Sequence, residues 1–216
     1  MNHRENAFKI SVQRFDDYAK DYAQRFSSIG SYQDSVDKFC QLITSSKPCI
    51  IDLACGHGRY TQHLRKQFSN SKITAVDLAP RMIDIAKQAL PDVDFKLMDI
   101  RSVAQLPDVF DAILCSFGLP FLSKEDAAKL IADCAAKLKH HGVLYISTME
   151  GCEADAGFET TSFAGSAEIY FNYHRLSDLK EAFEQNGLHL EWVKEQDYAE
   201  TDGSITTDLI LIGVKK

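Results

Sequence analysis

Residues 50–60 read IIDLACGHGRY. An apolar run, Ile50-Ile51, ends on Asp52, a loop carries Gly56 and Gly58, and Arg59-Tyr60-Thr61-Gln62-His63-Leu64 reads as the first turns of a helix. A strand that stops at a glycine-rich loop and restarts as a helix is a nucleotide-binding arrangement. Dinucleotides, nucleoside triphosphates and S-adenosylmethionine all use such loops, so the residues around the glycines have to decide among them.

The rest of the chain repeats the same alternation from Pro48 onward. Strands are predicted over 48–53, 72–77, 93–98, 110–116, 142–148, 188–194 and 206–214, with helices over 59–68, 80–90, 124–139 and about 176–186. Gly142 and the Asn186-Gly187 pair are helix stops. Nearly continuous apolar strands alternating with helices imply an α/β, doubly wound, mostly parallel seven-stranded sheet with helices on both faces. The last two strands are joined by the polar hairpin AETDGS, so the final strand should run antiparallel to its neighbour.

Two segments lie outside this alternation. Residues 8–46 read as two helical stretches, with Phe8, Phe15, Tyr18, Tyr22 and Phe26 on roughly one face of the first. Stretch 151–175 carries small and polar residues, then the aromatic cluster Tyr170, Phe171 and Tyr173. Long insertions of this kind are usually lids or binding loops. The expected organisation is one domain over 1–216, with a helical cap at 1–47 and a lid at 151–175.

Composition narrows the partners. The net charge of −7 argues against nucleic acid, which demands a basic face. No apolar run approaches a membrane span, and the charged start MNHRENAFKISVQRFDDYAK is unlike a secretory signal. The six cysteines form no CxxC pair and sit in apolar or helical contexts, so reduced thiols in the cytoplasm are expected. A monomer or homodimer is expected.

In an open parallel sheet the ligand binds outside the carboxyl ends of the strands. Asp52, Asp77, Asp99 and Ser116 each end a predicted strand. Three carboxylates in one cleft would repel a pyrophosphate. A dinucleotide fingerprint needs a third glycine where Thr61 stands, and a P-loop needs a Lys-Ser/Thr that is missing. Asp52 suits a ligand with a cationic end, and S-adenosylmethionine carries an ammonium, a sulfonium and a ribose diol. Asp77 is placed to accept both ribose hydroxyls, although nicotinamide enzymes use such an acid too.

At these residues the chain resembles the class I S-adenosylmethionine-dependent methyltransferases, from about residue 15 to the C-terminus. The family's acid-x-Gly-x-Gly-x-Gly motif matches Asp52 through Gly58, with Ala54 in place of the first glycine and Gly56 and Gly58 retained. The resemblance implies that Asp77 and Leu78 border the ribose and adenine, and that Met82 of DLAPRMIDIAK packs on adenine. Ala79 stands where a serine is usual, so no hydroxyl contact is expected there. LMDI places Asp99 at the adenine amino group with Ile100 alongside. FDAILCSFGLPFL places Ser116 and Phe117 along the cofactor cleft. FDDYAKDYAQRF resembles the family's FD-x-x-A-x-x-Y helix, which puts Tyr22 over the methionine end.

Methyl transfer from a sulfonium is an in-line displacement in which the protein mainly aligns the partners and excludes water. A base is needed only if the acceptor must lose a proton. The chain lacks the Asn/Asp-Pro-Pro-Tyr/Phe sequence of enzymes that methylate base amino groups, and FGLPFL supplies no carboxylates for a metal. No metal site is expected, and a small-molecule acceptor under the aromatic lid is favoured. His174 and Tyr170 are the candidate bases, with helix initiation and strand packing as their structural alternatives. His57 reads as a loop-shaping residue, His140-His141 as a solvated turn, and Cys115 as packing. The other readings are a protein methyltransferase, a non-catalytic S-adenosylmethionine-binding partner, and an NAD(P)-dependent reductase.

Overall fold

A computed structural model of the chain describes residues 3–160, 164, 167–199, 203 and 205–216. Three helices open it: α1 (His3–Asp17), α2 (Ala19–Arg25) and α3 (Gln33–Leu42). The expected first helical stretch is thus two helices that break at Tyr18.

Then come β1 (Cys49–Leu53), α4 (Arg59–Gln67), β2 (Lys72–Asp77), α5 (Pro80–Ala89), β3 (Asp94–Leu97), β4 (Phe110–Ser116), α6 (Lys124–Lys137) and β5 (Leu138–Met149). The short strands β6 (Gly157–Thr160) and β7 (Glu168–Phe171) follow. The chain ends with α7 (Leu176–Gln185), β8 (Leu188–Ala199) and β9 (Ile205–Lys215).

Seven strands form one sheet in the order β3-β2-β1-β4-β5-β9-β8. β9 runs antiparallel to both of its neighbours and every other pairing is parallel. This is the expected doubly wound sheet, with the last strand inserted between β5 and β8. β8 and β9 extend beyond the expected 188–194 and 206–214 because they pair with each other as a long two-stranded arm from Ala199↔Ile205 inward. Most of the connecting AETDGS turn lies outside the described residues.

Successive residues of a strand face opposite sides, and the core divides accordingly. Ile51, Leu53, Ile113 and Leu144 pack against Leu130 and Ile131 of α6 and Phe183 of α7. Ile50, Ile73, Leu114 and Tyr145 pack against Phe39 of α3, Leu64 of α4 and Ile83 of α5. Both faces are therefore dry, as a parallel sheet requires.

The connections reverse direction between β1 and β4, and in such sheets the crevice forms at that point, outside the carboxyl ends. Segment 151–175 contributes an antiparallel hairpin, β6 on β7, separate from the main sheet. It docks on α1, where Ser11 Oγ accepts from Tyr170 N at 3.0 Å.

Candidate active site

A cavity of about 300 Å³ lies over the carboxyl ends of the sheet, with Ala54, Asp77, Ser116 and Met149 on its floor. Its walls come from α1 and α2 (Phe8, Val12, Phe15, Tyr22), from the turn after β4 (Phe117, Pro120, Phe121) and from the hairpin (Glu159, Phe171).

The floor is shaped by backbone that ordinary residues avoid. Ala54 has φ +55°, Gly56 +55° and Gly58 +86°, and Phe117 after β4 has +55°. Cys55 N donates to Val76 O at 2.9 Å, which ties the turn to β2. Gly56 N donates to Asp77 Oδ2 at 2.8 Å and Ala79 N donates to Oδ1 at 2.9 Å. A carboxylate offers about four acceptor sites, so Asp77 retains capacity toward the cavity it lines. Burial holds its carboxyl above the usual carboxylate range, opposed in part by those two N–H groups.

Ten of the twelve residues expected around a cofactor line this one cavity: Tyr22, Ala54, Gly56, Asp77, Leu78, Met82, Asp99, Ile100, Ser116 and Phe117. The structure does not bring Asp52 and Gly58 to it. Asp52 lies buried beneath the loop, where its Oδ2 accepts from Thr61 Oγ1 at 2.5 Å. Burial pushes its carboxyl up to about 7. Gly58 caps α4 and abuts α5, so that an added Cβ would sit 3.1 Å from that of Ala86. Thr61, which broke the dinucleotide fingerprint, is Asp52's partner.

Both expected bases face elsewhere. His174 is buried, its backbone N donates to Met149 O at 3.0 Å, and its Nε2 donates to Leu119 O at 2.9 Å. The ring is a latch between the hairpin's exit and the turn after β4. Its burial lowers its basicity. Tyr170 fails by parity: β7 alternates, so Phe171 lines the cavity while Tyr170 meets Phe158 with ring centroids 5.2 Å apart.

His57 stands edge-on to Tyr22 at 5.7 Å, and burial followed by the nearby Arg59 pushes it down to about 4. It is a neutral ring packed against Tyr22 beside the loop. Cys115 is buried and raised to about 12 by that burial, which makes it packing rather than nucleophile. All six cysteines are free.

Asp99 lines the cavity but is already engaged. Arg101 donates from Nε to both carboxylate oxygens, at 3.1 and 2.9 Å, and from Nη2 to Oδ2 at 2.6 Å. Its own backbone N–H donates to Oδ1 as well.

Residues 50–142 match a protein family described as a methyltransferase domain. The chain is 28% identical over 175 residues to the ubiquinone biosynthesis O-methyltransferase of Xylella fastidiosa, covering 76% of this chain and 70% of that one. Among solved structures, magnesium protoporphyrin IX methyltransferase (ChlM) from Synechocystis PCC 6803, with S-adenosylmethionine bound, superposes with a TM-score of 0.67 at 17% identity over 100% of both chains. TehB from Haemophilus influenzae superposes with a TM-score of 0.70 at 16% identity, over 90% of this chain and 66% of that one. Over residues 50–142 the chain thus matches a methyltransferase domain, and its fold is the one found in S-adenosylmethionine-dependent methyltransferases.

The residues present fit that cofactor. Gly56 has no neighbour within 4 Å of where a Cβ would stand, so open space lies against the turn. Acceptors for hydroxyl or amino groups (Asp77, Asp99) alternate with an apolar wall (Leu78, Met82, Ile100) suited to a purine face. For a methyltransferase the sequence reading missed Tyr32, Arg59 and Asp208, all of which line the same cavity. Asp208 had a readable signal: it is the lone carboxylate at the head of the apolar run LILIGV. An antiparallel last strand starts where the parallel ones end, which puts Asp208 at the ligand edge of the sheet.

Among the described residues no helix is long and apolar enough to cross a membrane.

Proposed function

We propose that this methyltransferase methylates a small, largely apolar acceptor held between α1 and the 151–175 hairpin. The observation that carries this reading is the aromatic chamber continuous with the cofactor cleft. Phe15 meets Phe121 at 5.2 Å, and Phe121 meets Phe171 at 5.7 Å, each pair contributed by separate elements. Such a wall recognises a flat or hydrocarbon-rich molecule and excludes water from the reaction. The relatives support it, since their names specify ubiquinone biosynthesis and magnesium protoporphyrin IX.

S-adenosylmethionine, when bound, supplies an electrophilic methyl on a sulfonium. In this proposal Asp77 holds the ribose hydroxyls, Met82, Leu78 and Ile100 flank the purine, and Asp99 receives the adenine amino group. Ala54, Gly56, Ser116 and Phe117 form the bed, and Tyr22 closes over the methionine end. Burial raises the Tyr22 hydroxyl, so it stays neutral there. Residues 1–47 and 151–175 act as cap and lid of one functional unit spanning 1–216, and six free thiols support a reducing compartment.

The test is transfer of radiolabelled methyl from S-adenosylmethionine to a panel of hydroxylated aromatics, quinols, amines, thiols and a basic peptide. Labelling of one or more of the small apolar acceptors is expected. Labelling of the peptide alone contradicts the reading.

A further inference from the structure

Among the described residues that line the cavity, Arg59 is the one cation, and the other charged members of the lining are Asp77, Asp99, Glu159 and Asp208. Each of those carboxylates is already engaged. Asp77 accepts from the amides of Gly56 and Ala79, Asp99 from Arg101, Glu159 from the Tyr173 hydroxyl and Asp208 from the Tyr32 hydroxyl. Arg59 makes no ion pair among the described residues.

Its guanidinium lies in neutral surroundings instead. Cζ stands 4.8 Å from the Tyr60 ring centroid and 5.6 Å from that of Phe26. Nη1 reaches Ser28 O at 3.4 Å and Nη2 reaches Tyr60 Oη at 3.5 Å, both long for a charged donor. Burial raises the Tyr22 and Tyr60 hydroxyls, so neither supplies a negative charge. Asp52 is buried beneath the loop and holds Thr61. Nor does α4 need the charge. Arg59 is its first residue, where the helix dipole disfavours a cation, and the first turn carries no acidic residue to offset it.

The sheet fixes which end of a ligand reaches this group. Asp77 closes β2, and β1 stands between β2 and β4. Arg59 follows the turn after β1, and the hydroxyls of Tyr32 and of Tyr145 on β5 are close enough to act on its charge. Its guanidinium therefore lies on the β4–β5 side of that turn. A nucleoside held with its ribose on Asp77 runs past Gly56 and carries its ribose substituent toward Arg59. In S-adenosylmethionine that substituent ends in an amino acid.

We propose that Arg59 binds the carboxylate of the cofactor's methionine end and makes that group a condition of tight binding. The inference rests on S-adenosylmethionine occupying the cavity. The planar guanidinium presents paired N–H donors that match the two carboxylate oxygens, while Phe26 and Tyr60 hold its plane. S-adenosylhomocysteine keeps the same carboxylate after the methyl has left, so Arg59 stabilises cofactor and product alike. An acceptor carboxylate would also suit a guanidinium, and Arg59 could serve only to shape the turn; the experiment separates the three roles.

Wild type, Arg59→Met and Arg59→Lys are titrated calorimetrically with S-adenosylmethionine, S-adenosylhomocysteine, decarboxylated S-adenosylmethionine and methylthioadenosine, which lacks the amino-acid end. A hydroxynaphthoate is titrated into protein saturated with S-adenosylhomocysteine. Wild type should bind S-adenosylmethionine at least about tenfold more tightly than its decarboxylated analogue. Arg59→Met should weaken S-adenosylmethionine and S-adenosylhomocysteine by about 10–100-fold. It should bind the decarboxylated analogue no more weakly than wild type does, and methylthioadenosine and the hydroxynaphthoate within about threefold. Arg59→Lys keeps the charge without the fork and should fall between.

Unchanged affinity of Arg59→Met for S-adenosylmethionine overturns the assignment, and weaker hydroxynaphthoate binding with cofactor affinity unchanged overturns it in favour of the acceptor. An equal loss with methylthioadenosine overturns it by showing that Arg59 only shapes the turn. If Arg59→Met does not fold, the wild type decides: a decarboxylated analogue bound as tightly as S-adenosylmethionine overturns the assignment. Binding of none of the four adenosine compounds by wild type removes the reading of the cavity, and the assignment with it.

Discussion

Gly56 and Gly58 stand two residues apart in one turn, and replacing each with alanine should damage the protein in different ways. Their φ values of +55° and +86° are left-handed, which costs an L-residue about 1–2 kcal/mol. Stiffening of the unfolded chain returns about 0.4–1 kcal/mol. A Cβ at Gly56 meets nothing within 4 Å, so Gly56→Ala should lose only about 1 kcal/mol of stability. Its methyl enters space that the cofactor is proposed to fill, and the S-adenosylmethionine Kd should rise by about tenfold or more. A Cβ at Gly58 lies 3.1 Å from Ala86 Cβ and 3.7 Å from its Cα. Overpacking adds about 1–3 kcal/mol, for a total of roughly 2–4 kcal/mol. In a chain of this size that lowers Tm by about 10 °C, against about 3 °C for Gly56→Ala. Cofactor affinity of folded Gly58→Ala should stay within about threefold of wild type.

Thermal unfolding followed by circular dichroism, with calorimetric titration of S-adenosylmethionine, reads both quantities. The double variant Gly58→Ala/Ala86→Gly supplies a control. Glycine inside α5 costs about 1 kcal/mol alone, but it removes the opposing methyl, so the double variant should be more stable than the sum of its parts. Equal losses of stability in the two single variants, or weaker cofactor binding in Gly58→Ala than in Gly56→Ala, would refute this division of labour.

Three further outcomes follow from the site. Asp52 keeps its proton up to about pH 7 when folded, whereas an unfolded aspartate loses it near 3.9. Its burial therefore lowers stability progressively as pH rises from about 4 to about 7. Asp52→Asn should be stabilised relative to wild type by about 2–4 kcal/mol at neutral pH and by little below pH 4; a constant difference across that range contradicts it. His57, pushed down to about 4, acts oppositely: its contribution is present above about pH 6.5 and is lost as pH falls toward 4. His57→Gln should therefore flatten the acid limb of stability between those values in a chemical denaturation series. Arg101→Ala removes the bidentate partner that holds the Asp99 carboxylate in place; calorimetric S-adenosylmethionine affinity should fall by about tenfold, and unchanged or tighter binding contradicts it.

Much of the architecture was legible because it depends on periodicity and on strand ends. Asp77, Asp99 and Ser116 could be assigned to the ligand edge once the alternation was recognised, since Asp77 and Ser116 close parallel strands and Asp99 follows β3 by two residues. What stayed illegible depends on which way a side chain turns. Tyr170 and Phe171 are neighbours in a cluster whose strand register was unknown, and a shift by one residue exchanges the inward and outward rings. His174 carries the right chemistry, but its burial and its bond to Leu119 O arise from the docking of the hairpin's exit on the turn after β4. Asp52 looked like a ligand because it precedes the glycines; the left-handed turn at Ala54 carries the chain over it and leaves it facing Thr61. Asp208 and Tyr32 meet only because the final strand inserts between β5 and β8, an order that no local pattern announces.

The central claim is that the cavity at Asp77 holds S-adenosylmethionine. Isothermal titration of the wild type and of Asp77→Asn with S-adenosylmethionine, with NADH and NADPH as controls, tests it most directly. The account predicts micromolar binding of S-adenosylmethionine, at least about tenfold weaker binding by the folded variant, and no heat from the nicotinamide cofactors. Equal affinity in the two proteins, or binding of NADH in place of S-adenosylmethionine, would contradict it.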